Sequence, residues 1–95
     1  HETASSLEEL LNSARRILRA KERLFLVHLA ERSAELLYCL KEKGLEPKGL
    51  QWCHHDVDSE ASLLLVEARK GARPGLRVAP PILVDDFQTF YSLDS

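Results

Sequence analysis

The sequence predicts an α/β domain in which helix, strand, helix, strand, strand and an extended tail follow one another. Three observations carry that order. Leu7, Leu10, Leu11, Ala14, Ile17 and Leu18 recur at the three-and-four spacing of one helix face. Residues 23–28, Arg-Leu-Phe-Leu-Val-His, are a short apolar run of strand length and composition. Residues 50–55 alternate, and the polar residues 56–60 then separate them from a second apolar run over 61–68, which reads as an antiparallel hairpin. Ninety-five residues, 44% of them apolar, make one small domain with a core but little stability to spare.

Each element has its own signals. Ser5 and Ser6 stand three residues before Glu8 and Glu9, the capping-box spacing, and open the first helix. Arg15, Arg16 and Arg19 fall on its exposed side, toward the end where the helix dipole favours cations. Lys21-Glu22 turn the chain into the first strand. A second helix begins at Glu31 or Ser33, carries the stripe Leu36, Leu37 and Leu40, and stops at Gly44 ahead of Pro47. Glu31, Arg32, Glu35, Lys41, Glu42 and Lys43 form its solvated face. A strand, a helix and a further strand so spaced make a crossover unit.

The chain is organised around residues 63–77. Leu63-Leu64-Leu65-Val66 is an unbroken apolar run, the reading of a strand covered on both faces. It passes into a loop with four cations, Arg69, Lys70, Arg73 and Arg77, and no acid. The tail over residues 77–95 contains Pro80-Pro81, which excludes a regular helix and removes ladder donors from a sheet centre. Ile82, Val84, Phe87 and Tyr91 are expected to staple that tail across the body.

A net charge of -2 gives no bulk attraction to nucleic acid, so any RNA contact has to come from a local patch. The chain starts at His1 and contains no methionine, and the expectation is a portion of a longer protein. Its apolar runs are too short to span a bilayer, so no membrane partner and a cytoplasmic location are expected. Cys39 and Cys53 do not form a disulfide framework. Together with His54 and His55 they lack zinc-ligand spacing, and the expectation is two buried thiols and no metal.

The stretch Val66-Glu-Ala-Arg-Lys-Gly-Ala-Arg-Pro-Gly-Leu-Arg-Val-Ala-Pro-Pro-Ile-Leu-Val-Asp85 resembles the C-terminal signature of the tRNA(Val)-type adenine-N6 methyltransferases. The resemblance extends through Leu24-Phe-Leu-Val-His-Leu-Ala-Glu-Arg32 and Gly44-Leu-Glu-Pro-Lys48, and begins at His1-Glu2, similar to the end of an Ala-Arg-His-Glu word in that family. Relatives usually have glycines where Lys21 and Glu22 stand, and a proline where Leu29 stands. The family's glycine-rich cofactor loop and its Asn-Pro-Pro-Tyr catalytic word are absent from this chain.

The resemblance implies the C-terminal portion of a Rossmann-like, S-adenosylmethionine-dependent methyltransferase domain with tRNA as partner. It also implies a mixed three-stranded sheet, with residues 61–68 antiparallel and central between 24–27 and 50–54. Ligands of doubly wound sheets sit outside the carboxyl ends of the parallel strands, which makes His28 the substrate-proximal candidate. Arg69, Lys70, Arg73 and Arg77 are the RNA-binding candidates, with Arg69 and Lys70 expected at the opposite end of the sheet. By itself the chain is expected to bind no cofactor usefully and to catalyse nothing. The bare edge of its first strand is expected to recruit a second copy. The rival reading is a non-enzymatic protein- or RNA-interaction module.

Overall fold

The computed structural model describes residues 3–83. Helix α1 (Thr3–Ile17) leads into strand β1 (Arg23–Leu29), and a single 3-10 turn (Ala30–Arg32) starts helix α2 (Ser33–Glu42). Strands β2 (Leu45–His54) and β3 (Ala61–Lys70) form the hairpin, and two short strands follow, β4 (Arg77–Val78) and β5 (Ile82–Leu83). The element order predicted for the first seventy residues is the one observed.

Strand β3 pairs antiparallel with β1 on one side and with β2 on the other, so β1 and β2 run parallel with β3 reversed between them. A strand reached by a hairpin after a crossover has this option, because the crossover leaves a strand-wide gap that the returning hairpin arm can fill. Its residues explain the choice. Leu64, Val66 and Ala68 are buried on the face that meets the helices, and Leu65 and Glu67 alternate to the other.

The sheet has five strands, not the three the sequence suggested, because the tail adds β4 and β5 to the outer edge of β2. Both lie parallel to β2, at Gly49–Leu50 and at Cys53–His54. The ladder is interrupted where Pro80 and Pro81 supply no N–H, and an edge is where such a gap is tolerated. Side-chain and flanking bonds hold the interval: Ala79 N–H donates to the Leu50 carbonyl (2.8 Å) and Gln51 Nε2 to the Pro80 carbonyl (2.8 Å). Of the tail's expected staples, Ile82 pairs with the sheet through β5; Val84, Phe87 and Tyr91 lie outside the described residues.

Both helices cover one sheet face. Leu7 and Leu11 of α1 and Leu36, Cys39 and Leu40 of α2 close over Leu45, Leu50, Leu64, Val66 and Ala68. Helix α1 begins at Thr3, ahead of the capping serines, and its apolar face is narrower than its spacing implied. Leu10 is 52% exposed and Ile17 78% exposed, since the helix touches α2 and the strand ends along Leu7 and Leu11 only. Gly44 ends α2 with φ of +74°, a left-handed turn that glycine adopts without a side-chain clash. Strand β2 starts at the next residue, so Pro47 lies inside the strand. There it tolerates its missing donor because β4 pairs with β2 only from Gly49 onward.

Candidate functional site: two ends of one mixed sheet

Because β1 and β2 are parallel, Leu29 and His54 end at the same rim of the sheet. A cavity of about 480 Å³ opens there, lined by Leu29, Ala30, Glu31, Trp52 and residues 60–62. The 56–60 loop, whose last residue Glu60 lines the cavity, is an Asx-type turn: Asp56 Oδ1 accepts from the Asp58 N–H (2.9 Å), and Ser59 Oγ accepts from the Asp56 N–H (3.1 Å). His54 Nδ1 lies 2.8 Å from the Ser59 carbonyl, tying the loop to the end of β2. The end-of-strand rule places the loop ending in Glu60 at this rim; Glu31 read only as a solvated helix residue, and Trp52 carried no signal of its own.

His28 stands one residue before the end of β1, opposite Leu64 of β3. Opposed residues of an antiparallel pair share a face, so its ring lies on the helix side of the sheet. Its Nε2 is buried with no hydrogen-bond partner among the described residues, an unmet bond that marks the atom as chemically open.

The basic residues lie at the other end and take separate roles. Lys70 reaches back over α1, its Nζ donating to the carbonyls of Arg15 (2.5 Å) and Leu18 (2.8 Å). A helix leaves its last four carbonyls unmet, and a lysine there meets both the hydrogen-bonding and the dipole requirement. Arg69 Nε pairs with Glu67 Oε2 (3.1 Å), and Arg23 Nε approaches the same oxygen (3.5 Å). Glu67 escaped the count of acids because it precedes the loop by two residues, which in a strand returns it to the same face as Arg69. In the loop itself, Lys48 Nζ donates to the Arg73 carbonyl (2.8 Å). Gly75 has φ of +136°, and a Cβ there would stand 3.3 Å from that Nζ. Arg77 sits in β4 opposite Gly49.

The structure therefore does not gather the four cations at one place, and Arg73 stands exposed in the loop. Arg69 and Arg77 line a groove of about 630 Å³ on the face away from the helices, together with Lys48. Lys70 serves the helix end instead.

Both cysteines are buried and free. Burial pushes the Cys53 thiol up, and burial with the nearby carboxylates Glu8 and Glu35 pushes up Cys39, so both favour the protonated form rather than the nucleophilic thiolate. Among the described residues, no group of three or more His, Cys, Asp and Glu side chains gathers as a metal site. No helix among them is long and apolar enough to cross a membrane.

No protein-family model matches the chain, and no curated protein matches it. A solved structure does: a predicted O-methyltransferase from Agrobacterium tumefaciens, 25% identical, with a TM-score of 0.68. The likeness covers 82% of this chain and 37% of that one, so the chain spans little more than a third of the length of that protein. The mixed α/β architecture seen here is thus similar to part of a methyltransferase fold.

Proposed function

We propose that the chain is the C-terminal part of an S-adenosylmethionine-dependent methyltransferase that acts on an adenine N6 of tRNA. The reversed β3 between parallel β1 and β2 carries this reading. The fold around it, similar to part of a predicted O-methyltransferase, supports the methyltransferase class. The C-terminal signature over residues 66–85 supports the adenine-N6 tRNA substrate. In this reading residues 1–95 form one partial domain with an extended tail over 77–95, β4 and β5 of that tail complete the sheet edge, and the protein works in the cytoplasm.

The methyl donor does not fit the residues of this chain. A donor pocket of a doubly wound fold needs a glycine-rich turn from strand to helix at the carboxyl rim. Here β1 passes to α2 through Ala30, Glu31 and Arg32, and the four glycines lie elsewhere. The donor is therefore assigned to polypeptide outside these residues, and the chain alone transfers no methyl group. Its own contribution is the carboxyl-rim cavity: Trp52 and Glu60 line the approach to an acceptor base, and His28 stands on β1 one residue before the lining residue Leu29.

Deleting the gene tests the substrate. Nucleoside mass spectrometry of purified valine tRNA is expected to lose one N6-methyladenosine, and the intact gene restores it. Unchanged tRNA overturns the adenine reading. The neighbour's description favours a second one, methyl transfer to oxygen, which the same extracts test through loss of an O-methylated product.

The outer edge of β1 carries no partner strand among the described residues. In the 95-residue chain on its own, that edge pairs with a second copy. Sedimentation is expected to show a concentration-dependent dimer, and a monomer at millimolar concentration removes this part of the reading.

A further inference from the structure

The formal charge of -2 conceals an uneven distribution along the strand direction. Twelve of the thirteen lysines and arginines lie in the half of the molecule where β1 and β2 begin, because α1, α2 and β3 all end there and residues 71–77 follow. That half holds four described carboxylates, Glu22, Glu42, Glu46 and Glu67; twelve cations less four acids leave it at +8. At the carboxyl rim stand five acids, Glu31, Glu35, Asp56, Asp58 and Glu60, with one cation, Arg32, paired to Glu35 at 2.6 Å; five less one leave -4. Neither rim neutralises itself. Arg16, Arg73 and Arg77 are exposed and make no ion pair among the described residues, and the same holds for Glu31, Asp58 and Glu60.

We infer that the chain associates head to tail with a second copy of itself, its basic rim against the acidic carboxyl rim of the next. Every copy carries both surfaces at opposite ends of the same strands, so the two partners of the contact are complementary in sign. Pairing of like rims is opposed by repulsion, and a contact between unlike rims leaves one rim of each sign free, so the association does not close. Exposed ion pairs are individually weak and screened by salt, so this association depends on several charges acting together and belongs to low ionic strength. Strands added at the bare edge of β1 lengthen the sheet sideways and cover neither rim. The contact also covers the 480 Å³ cavity, which Glu31 and Glu60 line, so a chain engaged in this way is closed to an acceptor. It differs from pairing at the β1 edge, which joins backbones, and it needs no methyl donor, so it stands or falls apart from the methyl-transfer reading.

Sedimentation of the 95-residue chain at about 10 mM and about 1 M salt, where the screening length is about 30 Å and about 3 Å, tests this. At the lower salt the mass is expected to grow with concentration past that of a dimer, and at the higher salt this growth is lost. One variant, Arg16→Gln with Arg73→Gln and Arg77→Gln, removes three charges from the basic rim. A second, Glu31→Gln with Asp58→Asn and Glu60→Gln, removes three from the acidic rim. Each is expected to weaken the salt-sensitive association about 10-fold or more. All six positions are exposed, and circular dichroism confirms that the variants fold. Mixing the two variants restores one contact, the intact basic rim of one chain on the intact acidic rim of the other. Mass that is independent of salt, growth unchanged in either variant, or no recovery in the mixture overturns the assignment. A dimer equal at both salts and in both variants, with no further growth, overturns it and leaves the β1-edge pairing alone.

Discussion

The two faces of the sheet are built from the same three strands and differ in almost everything else. On one, Leu64, Val66 and Ala68 are sealed under α1 and α2; on the other, Phe25 and Val27 stand in solvent beside charged side chains. The strands read alike in composition because each contributes alternate residues to both faces. What separates the faces is whether a helix lies over them, and this chain supplies helices to one only. Stability resides on the covered face, while the open one leaves its apolar side chains in solvent.

The sharpest way to break that contrast is to hollow out the covered face. Leu64→Ala removes a fully buried side chain at the centre of the sheet and is expected to cost about 3 kcal/mol, read from urea or thermal unfolding. A loss under about 0.5 kcal/mol would mean that the covered face is not the stabilising one. Lys70→Ala leaves the carbonyls of Arg15 and Leu18 to solvent and is expected to cost about 1 kcal/mol, with the loss of helical signal confined to α1. If helicity is unchanged, the ammonium is not the cap that its geometry describes.

The thiols give a pH effect with a definite sign. Their folded values are raised, Cys53 by burial and Cys39 by burial and nearby carboxylates, so the folded state holds these protons more tightly than the unfolded chain. The stability this contributes is full below the ordinary thiol value, about 8.5, and is lost as pH rises through the raised folded values. Unfolding titrations carried upward from about pH 8.5 into the alkaline range are expected to show the decline, and Cys53→Ala to flatten it. The smallest effect belongs to the open face. Phe25→Ser is expected to change stability by less than about 0.5 kcal/mol, since the ring already lies in water.

Much of the architecture was legible before any coordinates. The apolar run at 63–66, the 56–60 polar turn and Gly44 are local signals, and local signals survive into the structure as β3, the hairpin and the end of α2. The central, reversed position of β3 required the family resemblance, because pairing order is a property of the whole sheet. Three things were missed for identifiable reasons. The tail's two short strands carry no periodicity, being two residues long. The exposure of Leu10 and Ile17 depends on how little α1 overlaps the sheet, which no helical stripe encodes. The divergence of the cations depends on partners outside the loop: Lys70 bonds to residues 15 and 18, far back in the chain, and Arg69 to a glutamate counted as part of the strand. Trp52 at the carboxyl rim gave no signal beyond being the only tryptophan.

The middle position of β3 sets an order of events during synthesis. The strand that joins β1 to β2 is the last of the three long ones to leave the ribosome, and Lys70, which closes α1, comes at its very end. Until residue 70 emerges, β1 and β2 lack the strand that joins them and α1 lacks its cap. Over that interval the two strands stay apart, and this part of the sheet closes only when β3 arrives. Contacts between segments so distant along the chain form slowly, and the interval before closure is when chaperone capture or premature association of β1 has its opportunity.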